Sequence, residues 1–173
     1  MALVLSVLAD CIILGLDTGY INMLIRKLFF AALLAFAGTV QAVGSYIANA
    51  GEIVKAADWK TMKTVTVNIG ESEYGTDELV FEAGQPYKLE LKNVSKKKHY
   101  FTSPEFYRAI ATRKVQANGM GEIKVPYLLA LELLPKGGQL DLYFVPVTKG
   151  KYEVYCTIDK HREEGMEGAI TIQ

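Results

Sequence analysis

The chain has 173 residues, with 19 Lys and Arg against 19 Asp and Glu and a pI near 6.7. That length can bury one substantial core. The even charge balance excludes the basic excess of a polyanion binder, so no nucleic-acid partner is expected. The mean hydropathy of +0.15 is carried mainly by the N-terminal stretch, residues 1–42.

Arg26 and Lys27, after Met23, form a short basic region, Leu28 to Val40 is apolar, and Ala42 is a small residue at the expected cleavage position. This order is that of a secretory signal, with cleavage predicted after Ala42 and export to the periplasm. The apolar run is short for a bilayer crossing, so no membrane span is expected in the mature form. Residues 1–22 contain Asp10 and Asp17 but no basic residue, and read as an upstream extension with Met23 the true start. Cys11 then falls outside the mature protein. The predicted division is 1–42 extension plus signal, 43–62 N-terminal arm and 63–173 folded domain.

Ala48 to Trp59 reads as a short helix or an irregular arm. Thr64 to Ile69 alternates, with Val65, Val67 and Ile69 on one face, which predicts a strand. A polar turn over Glu71 to Asp77 precedes a strand at Leu79–Phe81. Tyr87, Leu89 and Leu91 mark the inward face of the next strand. The charged turn Asn93 to Lys98 delivers His99 at the start of another extended run. Ser103, Pro104 and Glu105 read as N-cap, first position and acidic first turn of a helix through about Ala111. Thr112 to Val115 returns to strand, and Ile123 to Leu134 is apolar without a readable period. Strands follow at Leu140–Val145, Lys151–Thr157 and Gly168–Gln173. Seven or eight short strands, Gly/Pro turns and one small helix predict an all-β, Greek-key β-sandwich.

Between the last two strands, Cys156, His161 and Met166 fall within eleven residues. The mature chain has only this cysteine, and an unpaired thiol in an oxidising compartment needs an occupation. A buried inert thiol is the bland alternative. His99 is the one other histidine in the chain. A thiolate, two imidazoles and a thioether form a set suited to a single copper ion: His99, Cys156 and His161 as a trigonal group with Met166 axial. Structural zinc prefers four strong Cys or His donors, and only three are present. Cys–His nucleophilic catalysis is a further use of the pair, with Asp159 as a nominal orienting group. Lys96, Lys97, Lys98, Lys160 and Arg162, opposed by Glu163, Glu164 and Glu167, read as a solvated mixed-charge rim.

The Cys156–His161–Met166 loop, with His99 upstream, resembles the signature of the cupredoxin family (plastocyanin, azurin and relatives). The stretches Thr64–Val67, Phe81–Tyr87 and His99–Phe106 are similar to exported bacterial copper-binding members, and the resemblance spans about residues 60–173. It implies a Greek-key sandwich, copper held by His99, Cys156 and His161 with Met166 axial, and one-electron cycling with His161 as the exposed edge. The departures are four residues between Cys156 and His161, four more before Met166, a heavily charged loop, and a long Ser103–Gly138 segment. The reading implied is a monomeric periplasmic carrier of single electrons between redox partners, without turnover of its own. The alternative is a copper-trafficking or copper-tolerance protein working with copper-handling partners.

Overall fold

The computed structural model describes residues 45–125 and 127–173. The signal segment, Met23 and Cys11 lie outside the described residues. A helix, α1 (Ala50–Ala56), and a 3-10 turn (Trp59–Thr61) lead into ten strands. These are β1 (Lys63–Ile69), β2 (Glu78–Phe81), β3 (Tyr87–Asn93), β4 (His99–Thr102), β5 (Ile110–Ala117), β6 (Gly121–Ile123), β7 (Ala130–Leu133), β8 (Gln139–Pro146), β9 (Gly150–Tyr155) and β10 (Glu167–Ile172). A five-residue helix, α2 (Pro104–Arg108), separates β4 from β5.

The strands form two five-stranded sheets, ordered β1-β3-β8-β5-β6 and β2-β10-β9-β4-β7. The pairs β1–β3 and β2–β10 are parallel and the rest antiparallel. The expected all-β sandwich with a short helix is therefore what the chain forms. Alternation sets the core, as the pleat demands: Tyr87, Leu89, Leu91 and Asn93 of β3 are buried and the residues between them half-buried. Phe81, Phe106 and Phe144 interlock with Tyr87 by edge-to-face and stacked contacts at the centre. Such pairs add stability beyond their buried area.

Several expected boundaries shift. The described residues form ten strands where seven or eight were expected: β7 arises within the stretch without a readable period, and β6 just before it, with only Ile123 inside it. All three residues of β6 are exposed, so that edge strand has no inward face to leave an alternating signal. The predicted helix from Ser103 stops at Arg108, and Ser103 makes no side-chain cap; its hydroxyl donates to the Glu153 carbonyl on β9 instead. The N-terminal arm is held to the sheet: α1 packs on β5, Arg113 stacks on the Trp59 ring at 4.5 Å, and Tyr46 stacks on Tyr127.

Two turns fix the end of the sandwich that matters below. Asn93 N–H donates to the Gly138 carbonyl at 2.9 Å, and the Gly137 N–H donates to the Asn93 carbonyl at 3.2 Å. A Cβ on Gly138 would lie 2.3 Å from the Leu134 carbonyl oxygen, so the tight 134–138 turn requires glycine there.

On the outer face of β3, Glu90 pairs with Lys88 at 2.5 Å and Lys92 at 3.0 Å and accepts from Thr66 at 3.0 Å. The hydrogen bonds from Lys88 and then Lys92 outweigh burial and lower its pKa from 4.5 to about 2. A depressed folded-state pKa stabilises the fold above the unfolded value, and the contribution is lost as pH falls through the folded one. The network faces solvent, so it contributes about 1 kcal/mol. Urea unfolding of Glu90→Gln should therefore show a shallower loss of stability between pH 4.5 and about 2 than the parent; parallel pH curves would contradict this assignment.

Candidate metal centre

His99 opens β4 and Cys156 directly follows β9. The two strands run antiparallel, with Thr102 opposite Tyr155, so the start of β4 and the exit of β9 share one end of the sheet. The chain then crosses a tight loop to β10. The Ile158 carbonyl accepts from His161 N–H at 3.0 Å, the His161 carbonyl from Met166 N–H at 2.8 Å, and the Met166 carbonyl from Cys156 N–H at 3.1 Å. Asp159 takes φ 47° and Gly165 φ 98° to make the bends, and aspartate and glycine tolerate that region best.

These constraints bring His99, Cys156 and His161 together, with one donor atom from each within 4.8 Å of the others. Their side chains are sealed from solvent: His99 is 0%, Cys156 1% and His161 3% exposed. The expectation that His161 forms an exposed edge is corrected here, since the loop folds over it. Met166 is also fully buried, its backbone bonded to both Cys156 and His161. Cys156 Sγ lies 3.6 Å from His161 Nδ1 and accepts the Tyr100 N–H at 3.4 Å. The two imidazoles lie with centroids 5.0 Å apart.

Among the described residues, the buried side-chain polar atoms without a partner are His99 Nδ1 and Thr102 Oγ1. A buried imidazole nitrogen left unpaired is costly unless something occupies its lone pair. A metal about 2.3 Å from sulfur and about 2.0 Å from nitrogen would set the two donors roughly 3.5–3.7 Å apart at tetrahedral to trigonal angles. The 3.6 Å between Cys156 Sγ and His161 Nδ1 fits that range. Two imidazoles, a thiol and an adjoining thioether-bearing residue also form the mixed N/S set that suits copper. Burial lowers the His99 pKa, with His161 and Lys97 adding to the effect and Glu71 opposing it. That keeps the ring neutral, the form a metal requires.

Part of the charged rim is paired. Arg162 stacks on the Tyr155 ring at 4.1 Å and pairs with Glu153 at 3.1 Å and Glu167 at 3.2 Å. Lys98 pairs with Glu132. Arg162 thereby clasps the residues flanking both ends of the loop, a role its place in a charge run did not reveal. Ser95 and Asn93, whose side chains reach His99 and its turn, were likewise not singled out by sequence.

No family model matches the chain, and no curated protein matches it either. Among solved structures, a dithionite-reduced auracyanin from the photosynthetic bacterium Roseiflexus castenholzii aligns with a TM-score of 0.45 at 22% identity, over 68% of this chain and 98% of that one. Auracyanin B aligns at 0.42 and 19%, over 64% and 88%. A multi-copper oxidase from Pseudomonas thermotolerans aligns at 0.53 and 16%, over 68% of this chain and 31% of the oxidase. At these identities the likeness concerns the fold alone, a cupredoxin-type β-sandwich. In this sandwich the His99–Cys156–His161 group sits where β4 meets the β9–β10 loop.

Because Met166 fills a closed space, a volume-conserving Met166→Leu change should cost the metal-free protein under about 1.5 kcal/mol. Met166→Ala should cost about 2–5 kcal/mol. Thermal unfolding of the two variants checks this, and equal losses would show that the side chain does not pack as described.

Proposed function

We propose that this protein is a type 1 copper protein that carries single electrons between redox partners in an exported compartment. The observation that supports it most is the unpaired His99 Nδ1 beside Cys156 and His161 in a buried group of donors. His99, Cys156, His161 and Met166 would hold one ion. Copper held there supplies one-electron exchange between its cupric and cuprous states. The chain's own part is to keep the donors still. Strand β4 fixes His99, the Tyr100 N–H donates to Cys156 Sγ, and three backbone hydrogen bonds fix the loop that bears His161 and Met166. Donors already gathered need little rearrangement when charge changes, which suits electron exchange better than uptake and release.

Partners would be other redox proteins, and the chain itself a monomer without substrate turnover. Export is supported by the Arg26–Ala42 signal pattern. Among the described residues no helix is long and apolar enough to cross a membrane. The second reading, copper trafficking or tolerance, is favoured by the exposed charged residues Lys160, Glu163 and Glu164 on the ligand loop, since a solvated loop can open.

Aerobic Cu(II) and anaerobic Cu(I) titrations with visible absorption and EPR separate the two. The electron-carrier reading predicts an intense thiolate-to-copper band and narrow copper hyperfine splitting, both lost on reduction and recovered on reoxidation. Tight Cu(I) binding without the Cu(II) band would transfer the proposal to copper handling. Absence of copper binding would overturn both.

A further inference from the structure

We infer that Ser95 is a positioning residue: its hydroxyl fixes His99 as the Nε2–H tautomer and so turns the lone pair of Nδ1 toward Cys156 and His161. This deepens the copper reading and rests on it for what fills the Nδ1 position. The tautomer itself stands on the chain's own hydrogen bonds.

Ser95 is buried at 6% exposure, four residues before His99. Its Oγ lies 2.8 Å from His99 Nε2, 2.9 Å from the Lys97 carbonyl and 3.1 Å from the Lys97 N–H. A hydroxyl has one proton to give and two lone pairs to receive with. The Lys97 carbonyl can only accept, so it takes the hydroxyl proton. The Lys97 N–H can only donate, so it occupies one lone pair. What remains for the imidazole is the second lone pair, and His99 Nε2 must supply a proton to it. The opposite assignment, a hydroxyl donating to Nε2, would leave two oxygens 2.9 Å apart without a proton between them. It would also bury an Nδ1–H with no acceptor.

The serine is itself held by neighbours that cannot easily turn. Ser95 N–H donates to Asn93 Oδ1 at 2.9 Å, and Asn93 Nδ2 donates to the Lys97 and Leu133 carbonyls at 2.7 and 3.1 Å. Lys136 N–H reaches the Ser95 carbonyl at 3.4 Å, tying this turn to the 134–138 turn. A hydrogen bond to the distal nitrogen of a ligating imidazole fixes its tautomer and orientation and raises its basicity, and removing such partners typically costs about 10–100-fold in metal affinity.

Heteronuclear NMR of the imidazole nitrogens in the full chain, metal-free and Cu(I)-loaded, tests this. In the parent protein His99 should carry its proton on Nε2 in both states. Ser95→Ala should give mixed tautomers when metal-free and weaken Cu(I) binding by about 10–100-fold, while Ser95→Thr, which keeps the hydroxyl, should restore both. A proton on Nδ1 in the metal-free parent would overturn the inference, and this needs no variant to fold. An unchanged tautomer and affinity in Ser95→Ala would overturn it as well. An Nε2–H tautomer in a protein that binds no copper would uphold the Ser95 assignment while sinking the copper reading.

Discussion

The His99 imidazole is the constraint on which the rest of this end of the molecule depends. It is wholly buried, bonded through one ring nitrogen to Ser95 and unpaired at the other. A neutral polar ring in that position is costly to bury unless both nitrogens find partners. The fold brings Cys156 and His161 to the same ring, with one donor atom of each residue within 4.8 Å of the others. The packing of the closed end and the arrangement of its donor atoms therefore meet in the same three side chains.

The sandwich supplies the geometry by pairing distant parts of the chain. Antiparallel β4 and β9 bring residues 99 and 156 to one end, although 56 positions separate Tyr100 from Cys156 where they bond. The loop to β10 then needs only local hydrogen bonds to bring His161 and Met166 back against Cys156. Arg162 adds a clasp across the loop's base through Tyr155, Glu153 and Glu167. A charged loop thus surrounds donors that are themselves dry. Charge on this loop's surface and immobility of its donors are compatible because they belong to side chains pointing in opposite directions.

The donors were legible in the sequence because their chemistry is scarce. One cysteine and two histidines after the predicted signal leave few combinations, and the structure brings all three together. Alternation exposed β1 and β3, whose inward residues join the core. Strands β6 and β7 were hidden: β6 buries nothing, and β7 is four residues inside an apolar stretch. The Ser103 cap was plausible by composition, but a tertiary acceptor, the Glu153 carbonyl, took the hydroxyl. Ser95 and Asn93 look like ordinary turn residues, and their role depends on the 134–138 turn and on His99, which no local pattern encodes. The exposure of His161 was misjudged for the same reason, since burial depends on how the loop folds back.

X-ray absorption at the copper edge of the copper-loaded protein tests the central claim most directly. The account predicts one short copper–sulfur distance accompanied by two imidazole nitrogens, matching Cys156, His99 and His161. A coordination shell of nitrogen and oxygen alone, with no sulfur, would contradict it.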